Sequence, residues 1–161
     1  QHGLVNKGAF HFEDMIRIPM IVRHPDRVPA GRASQALQSQ VDFAPSFLAL
    51  AGLAVPGHMQ GVSQLDVWAG RAEAARDHAI VENRHQPRVL NARTYVDQRY
   101  KLTVYRGRPE GELFDLQEDP GEVRNLWDEP GALALKCEIM HRFLNAELAR
   151  EPTRMPRVAG A

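Results

Sequence analysis

Four short β-prone stretches, Ala79–Glu82, Val89–Val96, Lys101–Tyr105 and Leu113–Leu116, follow one another between residues 79 and 116. Parallel neighbours need a crossover of roughly a dozen residues or more, so stretches this closely spaced predict antiparallel pairing. Asp97-Gln98-Arg99 reads as the connection of a hairpin, and Glu118-Asp119-Pro120-Gly121-Glu122 is a strong turn signal. Behind Pro130-Gly131, the residues Leu133, Cys137, Met140, Phe143, Leu144 and Leu148 recur at helical spacing. The expected architecture from about Arg76 onward is a small antiparallel sheet packed on one long helix. Cys137 is expected on the apolar face of that helix as a small core residue. The tail from Glu151 to Ala161 carries two prolines and no periodicity, which reads as extended chain.

The first half of the chain has a different character. Ile18-Pro19-Met20-Ile21-Val22 is a short apolar run that reads as a buried strand with Pro19 at its entrance. Pro25 to Gly31 follows as a loop. From Asp42 to Leu50 the pattern is helical, with Asp42 suited to the N-cap, Pro45 in the first turn and Gly52 placed to end the helix. Strand, loop and helix in that order suggest the edge of an α/β sheet.

Lysine and arginine total 20 in the 161 residues, matching 20 aspartates and glutamates. That balance argues against nucleic acid as a partner, because phosphate binding relies on excess positive charge. No apolar run approaches the roughly 20 residues that cross a bilayer, so a soluble globular chain with no membrane partner is expected. Cys137 is the only cysteine, which excludes an intrachain disulfide and a cysteine-based zinc site. The chain opens Gln1-His2-Gly3 without an initiator methionine or targeting signal, as a fragment or processed product would.

Lys7, in the loop Gly3-Leu4-Val5-Asn6-Lys7-Gly8, is the residue most suited to holding an anion. Its compact charge fits a tetrahedral oxyanion, and Gly8 permits close backbone approach. From spacing alone the plainer reading is a surface lysine on a turn. His2, His11 and His24 share one stretch, but their spacing fits no zinc signature and they read as partly exposed polar residues. His58 and His85 are isolated, and His141 lies among polar neighbours on the last helix. Arg17 and Arg23 bracket the first apolar run and are expected in ion pairs. No Ser-His-Asp arrangement and no glycine-rich phosphate loop is present.

Taken together, these segments resemble the late half of the sulfatase family of the alkaline-phosphatase-like superfamily. His2-Gly3-Leu4-Val5-Asn6-Lys7-Gly8-Ala9-Phe10 resembles the family's HGLxxKGxF segment, and Phe12 to Val22 resembles YEExIRVPLIV. Val41 to Gly52 is similar to VDLAPTLLDLAG, with Pro56 and Gly61-Val62-Ser63 continuing the pattern. Tyr100-Lys101-Leu102, Glu112 to Leu116, Asp119 to Glu122 and Asn125-Leu126 are similar to YKY, ELYDL, DPxE and NL.

The resemblance implies a C-terminal portion of a sulfate-ester hydrolase, with residues 1–75 as the remnant of the catalytic core and 76–161 as the small subdomain. It implies a formylglycine nucleophile and a divalent metal, usually calcium, in the parent enzyme. Lys7 matches the lysine that contacts sulfate, and His2 lies near the same pocket. His85, Arg88 and Arg93 fall where the family's subdomain nears the pocket mouth, although exposed basic residues on a loop explain them equally. Arg17, Asp42 and Pro45 match positions that look architectural.

The sequence contains no C-x-P-x-R and no complete metal-binding set. The chain alone is therefore expected to hold no metal and to be inactive. The implied partners are a sulfated small molecule or glycan in the parent, and the N-terminal remainder of the same protein or a second copy. Two alternatives stand beside this reading. One is a phosphonate monoester or phosphodiester hydrolase of the same superfamily; the other is a noncatalytic binding or oligomerisation module. An isolated Pro19–Val22 strand would lack its parallel neighbours and leave an apolar edge exposed.

Overall fold

The computed structural model describes residues 2, 3, 8, 10–86 and 90–150, with backbone alone for His85 and Gln86. A one-turn helix α1 (Glu13–Ile16) is followed by extended chain and loops. A 3-10 turn at Gln40–Asp42 runs into α2 (Phe43–Leu50), and a short α3 (Leu65–Trp68) follows. Then come β1 (His78–Gln86), β2 (Leu90–Asp97), β3 (Tyr100–Tyr105), β4 (Gly111–Asp115) and the long α4 (Leu133–Ala149). The strands form one antiparallel sheet in the order β1-β2-β3-β4. This is the sheet and helix that the strand spacing and the helical period predict.

The β2–β3 hairpin turns through Gln98 and Arg99, and Asp97 holds it. Its Oδ1 accepts the backbone N–H of Arg99 at 2.8 Å and of Tyr100 at 2.6 Å. A short acidic side chain that folds onto the backbone ahead of it is the physical basis of the turn signal read in the sequence. Asn125 does comparable work beside β4. It accepts the N–H of Leu113 at 2.9 Å and donates to the carbonyl of Gly111 at 2.9 Å, standing in for a neighbouring strand.

Both faces of the sheet are covered. Strand alternation puts Tyr95, Leu102 and Leu113 on one face, where they pack with Ile139, Phe143 and Ala146 of α4. The opposite face carries Ala92, Thr94, Lys101, Thr103 and Phe114, all buried. Residues 11–13 and Glu122 lie against that second face. Three layers result: the segment around α1, the sheet, and α4.

Several expectations are corrected. Residues 18–22 form no strand, and Ile21 is 95% exposed. A strand needs hydrogen-bonding neighbours, and among the described residues no strand runs alongside this segment. Cys137 is exposed, not a core residue. The helix α4 carries apolar side chains on two faces, and the sheet takes the one formed by Leu135, Ile139, Phe143 and Ala146. Asp42 occupies the residue before α2, but its side chain makes no cap bond to that helix. It turns back to accept the N–H of Ser39 at 3.0 Å. Arg17 and Arg23 are exposed and make no ion pair among the described residues. His11 is buried, because it sits under the sheet. Gly52 does end α2: its φ of +72° lets Leu53 N–H reach the Leu48 carbonyl at 2.9 Å.

Candidate functional site

Residues 11–13 are fastened to the sheet at three successive positions. His11 Nδ1 lies 2.7 Å from Thr94 Oγ1, which in turn lies 2.8 Å from Thr103 Oγ1 on the next strand. Burial, and then the nearby positive charge of Lys101, push the His11 imidazole below its ordinary pKa. Phe12 packs on Phe114 with ring centroids 6.2 Å apart. The backbone N–H of Glu13 donates to Glu122 Oε2 at 2.6 Å. Lys101, buried in β3, pairs with Glu122 and lies 3.4 Å from Glu13. Three motif segments far apart in sequence thus converge on one buried charge cluster.

A second buried hub centres on Asp42, which is fully buried. One carboxylate oxygen accepts the N–H of Val62 at 2.9 Å and Arg76 Nη2 at 2.5 Å; the other accepts Gln64 Nε2 at 2.9 Å and the Ser39 N–H. Ser46 donates to the Asp42 carbonyl at 2.6 Å and accepts the N–H of Gln64 at 2.8 Å. This hub ties α2 to the loop before α3 and to the chain entering β1. Its carboxylate is saturated by donors, so its work is architectural.

Of the sequence candidates, Lys7 and Arg88 lie outside the described residues, as does the side chain of His85. His85 lies on β1, where the backbone of Gln86 pairs with Leu90 beyond a register shift. His2 is exposed with a positive φ of 55°, and its ring stacks on Phe12 at a centroid distance of 3.8 Å and 3° between planes. The start of the loop therefore rests on the clamped segment. No described contact brings His2 to β1. Arg93 faces α4, where it pairs with Glu147 and reaches toward Glu82.

Among the described residues no group of three or more histidine, cysteine, aspartate or glutamate side chains is placed to hold a metal. The acidic side chains that gather are already engaged: Glu13 and Glu122 by Lys101, and Asp42 by Arg76. This donor set does not fit a divalent cation, which needs several uncommitted oxygens. Among the same residues no helix is long and apolar enough to cross a membrane.

The sequence profile of a family described as N-sulphoglucosamine sulphohydrolase, C-terminal, matches residues 1–149. The chain belongs to this family. Within the sulphohydrolase group it is 31% identical to an N-acetylglucosamine-6-O-sulfatase of Bacteroides thetaiotaomicron, over 87% of this chain and 26% of that protein. It is 28% identical to a Delta 4,5-hexuronate-2-O-sulfatase of the same organism, over 89% of this chain and 30% of that protein. A structure solved in complex with its substrate, D-glucosamine-2-N,6-O-disulfate, superposes with a TM-score of 0.78. It shares 27% identity and covers 91% of this chain and 32% of its own. A phosphonate monoester hydrolase of Agrobacterium radiobacter superposes at 0.65 with 23% identity, covering 75% of this chain and 27% of its own, which shows a shared fold alone. This chain thus corresponds to the C-terminal portion of a sulfatase fold and spans under a third of the length of these relatives.

Sequence reasoning placed Asp42 among the architectural positions but missed its partners Ser46, Gln64 and Arg76. It also missed the His11–Thr94–Thr103 chain and the burial of Lys101. The available signal was motif order: Glu13, Lys101 and Glu122 each sit in a family-like segment. Nothing local in any of the three segments announces that they meet.

Proposed function

We propose that this chain is the part of a sulfatase that presents a sulfate-contacting lysine and holds it in register, and that the full protein hydrolyses a sulfate ester on a glycan. Lys7 is the proposed contact. Its ammonium would lie against the sulfate oxygens and neutralise charge as the sulfur–oxygen ester bond breaks. His2 is proposed at the edge of the same pocket, with His85 at the end of β1 and Arg88 just beyond it in sequence as substrate contacts. The nucleophile, as formylglycine, and the metal, with calcium the expected ion, are assigned to the rest of the protein. The donor set among the described residues does not fit such an ion. Residues 1–75 are proposed as part of the catalytic core and 76–161 as the subdomain that braces it.

One observation carries the reading: residues 11–13 are clamped to a buried sheet face by His11–Thr94, Phe12–Phe114 and Glu13–Glu122. A loop that must hold an anion at fixed distance gains most from rigid anchoring beside it. The relatives favour a sulfated amino sugar or uronate as substrate class. The sulfatase reading is preferred to the phosphonate one, because the phosphonate hydrolase shares the fold alone.

The test is Lys7→Ala in the full protein, assayed on a sulfated glucosamine with calcium present. A fall in kcat/KM of roughly 100- to 1,000-fold is expected, the usual cost of losing one such donor. His85→Ala and Arg88→Ala should raise KM with kcat little changed. An unchanged rate in Lys7→Ala removes Lys7 from the site.

A further inference from the structure

His2 and Gly3 stand at positive φ, 55° and 66°, in a turn that lays the His2 ring on Phe12. That backbone is ordinary for glycine; a histidine keeps it where the surroundings impose it, and such positions gather at functional sites. The stack is equally specific. With centroids 3.8 Å apart and 3° between planes, the rings lie face to face, whereas aromatic pairs left to themselves favour offset or edge-on contact. Turn and platform together fix the ring of a residue that is otherwise exposed.

Phe12 serves as a platform because it is itself held on three sides. Its ring packs on buried Phe114, with centroids 6.2 Å apart. The residue before it is bonded to Thr94 at 2.7 Å, and the N–H of the residue after it donates to Glu122 at 2.6 Å. Rigid support thus runs outward from the sheet through Phe114 and Phe12 to His2. Among the described residues His2 makes no hydrogen bond and no ion pair. One ring face is covered by Phe12, which leaves the ring edge, where both nitrogens lie, free to meet a ligand. Those nitrogens match the hydroxyls and anionic oxygens of a sulfated sugar.

We infer that Phe12 is a positioning residue for substrate binding: it holds the His2 ring so that the imidazole edge meets a hydroxyl or sulfate oxygen of the sugar. This rests on the reading that places His2 at the sulfate pocket. A free histidine at the surface loses its rotamer freedom when a ligand fixes it, and a ring already held does not. The benefit therefore falls on substrate affinity and not on the chemical step.

Kinetics of the full protein on a sulfated glucosamine, with calcium present, test the coupling. His2→Ala should raise KM about tenfold with kcat little changed. Phe12→Leu keeps an apolar contact on Phe114 but offers no flat face, and should raise KM about fivefold. In the His2→Ala background the same change should add less than about twofold, since the platform then has nothing to hold. Phe12→Tyr keeps the flat ring and should restore KM. A purely structural role reads differently: fewer folded molecules lower the apparent kcat and leave KM where it was. Should Phe12→Leu not fold, Phe12→Met fills the space more adaptably and is read in the same way. A native KM in Phe12→Leu beside an impaired His2→Ala, or equal losses in both backgrounds, overturns the role of Phe12 alone. A native KM in His2→Ala overturns the placement of His2 as well, while Lys7→Ala reports separately on the sulfate contact.

Discussion

Lys101 in β3 and Glu122 in the turn after β4 form an ion pair with side chains 1% and 2% exposed, beside Glu13 of the clamped segment. Glu122 holds a positive φ of 53°, a region that a residue with a Cβ occupies only when its surroundings compel it. Its carboxylate explains the compulsion, since it receives both Lys101 and the backbone N–H of Glu13. Removing one charge leaves the other buried and unpaired. Lys101→Met should cost about 3–5 kcal/mol of stability by urea denaturation. Glu122→Gln should cost less, because Glu13 still faces the ammonium, and the double variant should lose less than the sum by at least about 0.5 kcal/mol. Additive losses would show that the two side chains act independently.

Asp42 and Arg76 meet at 2.5 Å where the chain enters β1. Asp42→Ala strands two backbone N–H groups, the Gln64 amide and a guanidinium that is itself mostly buried. A loss of about 3 kcal/mol or more is expected in denaturant unfolding. Asp42→Asn keeps part of the hydrogen bonding and should fall between Ala and the native residue. A loss below about 1 kcal/mol for Asp42→Ala would mean that water replaces the carboxylate at little cost.

Gly61 passes close against the backbone of this hub. A Cβ there would stand 2.0 Å from the Val41 carbonyl oxygen and 3.1 Å from the Asp42 Cα, so backbone must move. Gly61→Ala should lose about 3 kcal/mol, the upper end of overpacking penalties. Gly57→Ala is the control, since nothing lies within 4 Å of its added Cβ and its φ is not positive. Similar thermal midpoints for the two variants would contradict the close approach.

His11 makes stability depend on pH. Its folded pKa lies below the ordinary value of about 6.5, so the unfolded chain takes up the proton first as pH falls. Below about 6.5 the unfolded state therefore binds more protons, and stability declines until pH reaches the folded pKa, where the decline stops. The urea midpoint of the native chain should drop as pH falls through about 6.5. His11→Asn should flatten that drop, and parallel curves for the two proteins would exclude His11 as its source.

Much of the fold was legible because local chemistry dictated it. The Asp97 side chain makes the β2–β3 turn by itself, and Gly52 ends α2 through its own backbone freedom. The last helix was legible in extent and not in orientation. Leu133, Cys137, Met140, Leu144 and Leu148 satisfy helical spacing as well as Leu135, Ile139, Phe143 and Ala146 do, and periodicity alone has no means of choosing between two apolar faces. The run at residues 18–22 was misread as a strand for a related reason. Apolar composition gives a segment the capacity to pair, but pairing needs a neighbour.

The amino-acid sequence by itself determined the family, the order of the four strands and the last helix, and the alternation that gives the sheet two faces. Propensity, turn chemistry and motif order are properties of adjacent residues, and they survive being read along a line. Tertiary structure alone decided that Glu13, Lys101 and Glu122 share one buried site, that Asp42 serves four segments, and that α4 turns one apolar face inward and leaves another open. Each of those outcomes depends on which desolvated groups meet across the fold, and burial makes such meetings costly unless every charge finds its partner.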